Sequence, residues 1–322
     1  MSTATSSGTP RVGILQSVDY LRHYSKRRHP ENPDRLKACS QGLRGAGIFH
    51  HLTEISPRRA ELDDLQMVHA YEHCVYLREL AESGGGMVDA DTYVCDASYE
   101  VACMAAGGVM AVVDALAGRE VSRAMAMLRP PGHHASAGQA MGFCLFNNVA
   151  LAARYAQIQR GFGKVLIVDW DAHHGNGTQE IFWKDPTVGY FSVHQYPFYP
   201  GTGAAGETGE GPGEGFTVNV PLLAGSGDEQ FMAAFEEGLV PLWKRLNPDL
   251  VLVSAGFDAH VRDPLAGLNV TSRGFGRLAR FVLGQAGEVP VAFALEGGYD
   301  LQALSESIAE MAKACLEIPS HD

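Results

Sequence analysis

The sequence predicts an α/β protein built on one mostly parallel sheet with helices on both faces. Three observations carry this. The apolar runs Val165–Val168, Leu250–Val253 and Val291–Leu295 have no polar face, as in strands covered on both sides. Stretches with helical spacing alternate with them. Residues able to do chemistry fall directly after the strands, where open α/β sheets place their ligands.

Taken in order, Val12–Leu15 is the first strand candidate. The polar, proline-punctuated stretch Leu21–Leu36 reads as a solvated surface loop, a face for an acidic partner being the alternative for its basic cluster, with Asp34 capping a helix from Arg35 onward. Leu65–Ser83 has helical spacing and ends at Gly84-Gly-Gly86. His69 and His73 then lie one turn apart. The helical metal signature would place Glu after the first of them, and Ala70 stands there, so they read as core or surface histidines. Asp89, Asp91 and Asp96 precede a helix over Tyr99–Gly118, where Ala105, Ala106, Gly107 and Gly108 point to close helix packing.

A strand over Ala124–Leu128 leads into a loop that proline and glycine keep irregular, carrying His133 and His134. A helix over Asn147–Gln159 returns the chain to the strand Val165–Val168. Val188–Val193 is the next strand, followed by a long Gly- and aromatic-rich loop, Tyr196 to Gly215, of the kind that is usually functional. Helices over Asp228–Leu246, Thr271–Gln285 and Leu301–Glu317 complete the alternation. No linker divides the chain, so residues 11–322 read as a single domain behind a frayed terminus, residues 1–10.

Composition narrows the function classes. The 322 residues are 46% hydrophobic and 19% charged, as in ordinary globular proteins. A formal net charge of −12 argues against a nucleic-acid partner and is compatible with a cationic one. Six scattered cysteines without Cys-x-x-Cys pairs suggest a reduced, cytoplasmic setting. No apolar run approaches the roughly 20 residues that span a bilayer, and Met1–Pro10 has no signal-peptide character, so no membrane association is expected.

The stretch Lys164–Gly177 holds Asp169, Asp171 and His173 at positions i, i+2 and i+4. On an extended backbone all three side chains would aim the same way. Two carboxylates and an imidazole converging at a strand end call for a cation, and a metal ion is the obvious one; a capping and salt-bridge cluster is the alternative. Later strand ends add Asp258 and Tyr299, and an earlier one adds His133 and His134. Two Asp oxygens and one His nitrogen leave an open position, as catalytic zinc sites do. With a rim histidine to move a proton and a tyrosine hydroxyl for a developing oxyanion, these are the parts of a metal-dependent amide hydrolase.

The motifs Arg129-Pro-Pro-Gly-His-His-Ala135, Gly142-Phe-Cys144, Asp169-Trp-Asp-Ala-His-His-Gly-Asn-Gly-Thr178, Ser254-Ala-Gly-Phe-Asp258 and Glu296-Gly-Gly-Tyr299 resemble the zinc-dependent histone deacetylase family. The class II branch and its bacterial deacetylase-like amidohydrolase relatives are the most similar. The resemblance runs from His29-Pro-Glu-Asn-Pro-Asp-Arg-Leu36 to the last helix. It implies the arginase/deacetylase fold, a three-layer sandwich around an eight-stranded parallel sheet.

It also implies roles. Asp171, His173 and Asp258 would hold one zinc, or ferrous iron. His134 would be the general base and the acid for the leaving amine, with His133 as its electrostatic partner, held by Asp169. Tyr299 would polarise the acyl carbonyl. Phe143, beside Gly142, and an aromatic of the later loop, Tyr199 next to Phe198, would wall the acyl-lysine channel. A structural potassium or sodium ion would sit at Asp169, Asp171, His173, Ser192 and Val193. A second monovalent-cation site would use Phe182, Asp185 and Val188. Asp91 would hold the substrate backbone.

Asn176 and Glu296 depart from the class I pattern and mark the class II branch; without a carboxylate at position 176, His134 should be a weaker base. Leu265 stands at the gatekeeper position, where a polyamine-specific relative carries an acid. The resemblance therefore implies acetylated lysine peptides or proteins as substrates. Acetylated polyamines are the alternative, which Asp263 and Asp91 keep open. Weaker alternatives are an arginase-like two-manganese hydrolase and a binding module that grips acyl-lysine without cleaving it. A homo-oligomer is compatible with all of these.

Overall fold

The computed structural model describes residues 11–317, so the expectation of a frayed terminus at residues 1–10 falls outside the described residues. Its centre is an eight-stranded, wholly parallel sheet. The strands are β1 (Val12–Gln16), β2 (Leu52–Ile55), β5 (Arg123–Met127), β6 (Val165–Asp169), β7 (Val188–Gln195), β8 (Thr217–Leu222), β9 (Leu250–Ala255) and β10 (Val291–Leu295). A two-stranded hairpin, β3 (Gly86–Met87) and β4 (Tyr93–Val94), lies apart. The order across the sheet is β2-β1-β5-β10-β9-β6-β7-β8. The central strands β5, β10, β9 and β6 are buried along their whole length, which is why their sequences show no alternation. Each fully buried Val, Leu or Ile there contributes about 1.5–3 kcal/mol.

Helices cover both faces. α4 (Ser98–Ala117) and α5 (Asn148–Arg160) pack together on one side, and α1 (Asp34–Gly45), α9 (Ser272–Ala286) and α10 (Leu301–Leu316) on the other. α2 (Leu62–Leu65), α3 (Tyr71–Glu82), α6 (Asn176–Phe182), α7 (Asp228–Ala234) and α8 (Val240–Leu246) complete the set. α7 runs into α8 through a wider turn at Phe235–Leu239, so the predicted helix over Asp228–Leu246 is continuous. By length and composition α4 could cross a membrane, against the expectation that no such run exists; in the structure it is mostly buried, as a core helix is. Gly107 and Gly108 in α4 do permit close approach, to the Arg58–Ala60 backbone, to Leu15 and to Tyr20 of the short 3-10 helix Val18–Arg22.

Three local expectations are corrected. The predicted helix over Leu65–Ser83 is two pieces, because the chain is extended at Ala70 before α3 begins; His69 and His73 therefore do not share a helix. Both are buried and hydrogen-bonded to backbone, His69 to the Ser136 carbonyl and His73 to that of Leu145, as core histidines. Asp34 is the first residue of α1 rather than its cap, and its carboxylate pairs with Lys37. The stretch Leu21–Leu36 is only partly a surface loop: His23, Glu31 and Arg35 are fully buried.

Because every strand runs the same way, all carboxyl ends meet at one edge. The register places Ser192, Asp169 and Ser254 side by side as the strands end, with Ala294 beyond. The loops that follow these strand ends therefore leave the sheet along one edge.

Candidate metal centre and catalytic cleft

β6 stops at Asp169, and the backbone bends through Asp171–His173. The extended spacing that would have aimed Asp169, Asp171 and His173 together is broken there. Asp169 instead faces the tandem histidines: its Oδ2 lies 3.0 Å from His133 Nδ1 and accepts from the Tyr190 hydroxyl at 3.2 Å. Trp170 points the other way, fully buried against Phe235 and Phe293. Asp171 and His173 are joined by Asp258, from the turn after β9. The donor atoms of these three residues lie within 4.8 Å of one another, the one such group among the described residues.

The fit to a divalent ion rests on how these atoms are already used. His173 Nδ1 sits 3.0 Å from Asp258 Oδ2 and 3.2 Å from Asp171 Oδ1, and a single ring proton cannot bond well to both. Backbone amides steady the carboxylates: Gly297 donates to Asp171 Oδ2 at 2.8 Å, His173 to Asp171 Oδ1 at 2.9 Å, and Ala172 to Asp258 Oδ1 at 2.8 Å. Both carboxyls are buried, and without a cation their charges are costly. Burial disfavours the charged His173 ring, yet bonds to Asp171 and Asp258 push it up to about 10, so the cluster already attracts positive charge. Two oxygens and one nitrogen, oriented by bonds from behind, are a donor set that suits zinc or ferrous iron.

The tandem histidines are pinned from several sides. Asn147, the N-cap of α5, donates to the Ala135 carbonyl at 3.0 Å, and Thr178 of α6 donates its amide to the His133 carbonyl at 3.1 Å. Glu296 accepts from the amides of Gly132 at 2.6 Å and His133 at 3.2 Å. Burial pushes Glu296 up to about 7. For His133 burial opposes charge, but Asp169 and Asp171 outweigh it and raise the ring to about 10. His134 lies 4.1 Å away, centroid to centroid, with its Nδ1 2.8 Å from Asn176 Oδ1. Burial, then the charges of His133 and His173, hold His134 well below the usual histidine value. An amide oxygen at Nδ1 makes that nitrogen the donor, which leaves the Nε2 lone pair free.

Aromatic side chains wall the approach. Tyr199 stands edge-on to His134 at 5.2 Å, Phe198 stacks on His173 at 5.3 Å, and Phe143 stands edge-on to Tyr299 at 5.8 Å. Phe143 has φ +69°, a conformation rare for a bulky residue, held by its amide's bond to Thr92 Oγ1 at 3.1 Å. Its neighbour Gly142 has φ +56°, and a Cβ there would overlap the His134 ring, so only glycine fits.

The Tyr299 turn is held by two groups that sequence reasoning did not assign to it. Arg35 donates to the carbonyls of Gly298, at 2.7 Å, and Glu296, and its guanidinium lies 5.0 Å from the Tyr299 ring. Asp263 accepts from the Tyr299 amide at 2.6 Å and from Leu265 at 3.0 Å. Being buried and so engaged, Asp263 does not face a substrate cation. Leu265 is half-buried and Asp91 is exposed. Arg35 in turn shares Glu31 with Arg129, which donates to Glu31 Oε2 at 2.6 Å and to the carbonyls of Tyr20 and His23 at 2.8 Å. The signal for this network was present, since Glu31 and Arg35 are four residues apart. Nothing local distinguished it from a solvated pair.

Ser192 bonds to His194 Nδ1 at 2.8 Å, and Val193 is buried beside it in β7. Phe182, Asp185 and Val188 cluster where α6 gives way to β7; Asp185 donates its amide to the Phe182 carbonyl at 3.0 Å, and its carboxylate pairs with Arg154 at 2.6 Å.

Residues 29–315 match the histone deacetylase domain. The chain is 39% identical over 296 residues to a probable deacetylase of Archaeoglobus fulgidus, covering 90% of this chain and 82% of that protein. It is 39% identical over 331 residues to histone deacetylase 5 of Arabidopsis thaliana, covering 97% of this chain and spanning about half, 49%, of that longer protein. The crystal structure of the HDA15 HD domain superposes with a TM-score of 0.92 at 40% identity, covering 96% of this chain and 89% of the other. The chain belongs to the histone deacetylase family, whose members hydrolyse amide bonds.

Proposed function

We propose that this chain is a zinc-dependent deacetylase that removes acetyl groups from lysine side chains in peptides or proteins. The observation that carries the proposal is the donor set Asp171, His173 and Asp258 with a neutral histidine and a tyrosine beside it. A zinc ion bound there supplies Lewis acidity towards a carbonyl and makes water more acidic.

The chain's own residues do the rest. Phe143 and Tyr199 flank the slot that takes the apolar acyl-lysine stem. His134 Nε2 takes the proton of the attacking water, while Asn176 fixes the ring by accepting from Nδ1. The same nitrogen then returns a proton to the departing amine. Burial keeps Tyr299 well above the usual tyrosine value, so it stays protonated and donates to the carbonyl oxygen as negative charge develops. His133, charged and paired with Asp169, favours a neutral His134 at rest. A structural potassium or sodium ion at Asp169, Asp171, His173, Ser192 and Val193, and a second at Phe182, Asp185 and Val188, belong to the same reading, as does placement in the class II branch.

The engaged Asp263 and the apolar Leu265 favour acyl-lysine over acetylated polyamines, because neither side chain is available to pair with a distant ammonium. The test is acetate release from an acetyl-lysine peptide. His134→Ala should lower kcat by about 10²–10⁴-fold, and Tyr299→Phe by about 10²–10³-fold. Wild-type rates in the His134 variant would sink the assignment.

A further inference from the structure

Between two anchored histidines the chain makes a five-residue excursion, Tyr24-Ser-Lys-Arg-Arg28. His23 is buried, 2.7 Å from Ser98 Oγ and stacked on the Tyr93 ring at 4.4 Å. His29 returns to the same ring at 4.8 Å, hydrogen-bonds to the Asp91 carbonyl at 2.9 Å and stands edge-on to Phe143 at 4.7 Å. Phe143 is one wall of the slot, so the excursion lies on its rim. Lys26, Arg27 and Arg28 are all exposed, and among the described residues none of them has an ion-pair partner. Three unpaired cations in a row contrast with a chain whose net charge is −12.

The acids on that rim are differently placed. Asp89 is partly buried and accepts from the amides of Asp91 and Thr92 at 3.0 and 2.6 Å, both at Oδ1. Asp91 is exposed, and its backbone carbonyl meets His29 Nε2 at 2.9 Å. A residue one to three positions from an acyl-lysine lies within roughly 4–11 Å of it along an extended chain. That span is about one Debye length at physiological salt.

We propose that Lys26, Arg27 and Arg28 select acyl-lysines whose neighbours in the substrate chain are acidic, and that they repel polycations such as acetylated polyamines. The substrate class is thereby a protein segment with acidic flanks. This rests on the deacetylase reading of the slot. The sign is diagnostic, since the overall charge of the chain would by itself favour basic flanks.

The experiment measures kcat/KM and anisotropy binding for one acetyl-lysine peptide flanked by two aspartates, two serines or two lysines, and for an acetylated polyamine. It compares wild type with the triple variant Lys26→Ala, Arg27→Ala, Arg28→Ala, at low and high salt. Wild type should prefer the aspartate peptide over the lysine peptide by about tenfold at low salt, with the preference shrinking at high salt. The triple variant should lose the preference with kcat unchanged. Equal rates and equal binding for the three peptides in an active wild type, or a preference that survives in the variant, would overturn the proposal. Tighter binding of the aspartate peptide without turnover of any substrate would support the docking rim and overturn the deacetylase reading instead. A short DNA duplex that displaces the aspartate peptide at lower concentration than unlabelled peptide does would assign the triplet to phosphate and overturn the proposal.

Discussion

Replacing Glu31 with glutamine removes one buried charge on which two buried guanidiniums depend. Glu31 has no exposed surface and meets Arg129 at 2.6 Å and Arg35 at 3.3 Å. Burial alone would raise its pKa, but Arg129, His23 and Arg35 bring it from 4.5 down to about 2. At about 1.36 kcal/mol per pKa unit, that fall corresponds to about 3 kcal/mol of stability. Breaking a buried ion pair by removing one partner costs a similar ~3–5 kcal/mol. For a chain of this length the melting temperature should drop by about 5 °C.

The folded-state pKa lies below the unfolded one. The contribution is therefore complete above about pH 5 and disappears as the pH falls through about 2. Urea unfolding followed by circular dichroism, at pH 7 and again near pH 3, checks both magnitude and sign. A Glu31→Gln protein within about 0.5 kcal/mol of wild type at pH 7 would refute the reasoning. So would a deficit that stays the same at low pH. Because Arg35 also holds the Glu296–Tyr299 turn, the variant should in addition lose activity.

Two further outcomes follow from the cleft. Asn176→Asp places a carboxylate where an amide oxygen now meets His134 at 2.8 Å, which raises the imidazole pKa. Since the base must be neutral to accept a proton, the acidic limb of the kcat/KM profile should move to higher pH; a limb that moves down or stays put contradicts the assignment of His134 as base. Glu296→Gln replaces the carboxylate oxygen Oε2, which receives both amides of the tandem-histidine loop, with an uncharged and so weaker acceptor. It should lower kcat by about tenfold with little change in KM, because it loosens the position of the proton-transfer group rather than the slot. Steady-state kinetics with an unchanged kcat would show that Glu296 does not position the histidines.

The sequence revealed the central strands because strands buried on both faces have no choice but continuous apolar runs, as in Val165–Val168 and Val291–Leu295. The edge strands carried no such mark. β2, Leu-Thr-Glu-Ile, is half exposed, and β8 contains Pro221, so neither stood out by pattern. The separate residues of the site were legible because each follows a strand, and parallel strands bring their ends together. Their division of labour was legible only through the family resemblance, not from their spacing. A bend after Asp169 sends that carboxylate to His133 and leaves Asp258 to complete the cluster. The backbone's behaviour at a strand end is set by its neighbours in space, not by alternation in the sequence. For the same reason Glu31 and Arg35 looked like a solvated pair, since only Arg129, nearly a hundred residues later, makes them a buried network.

The central claim is that Asp171, His173 and Asp258 hold a single divalent ion on which amide hydrolysis depends. Metal content per chain, measured alongside acetate release from an acetyl-lysine peptide before chelation, after it, and after adding back zinc, tests it most directly. One ion per chain, loss of turnover on chelation, and recovery with about one equivalent of zinc are the expected results. Undiminished turnover by the metal-free protein, or two tightly bound manganese ions with urea release, would contradict it.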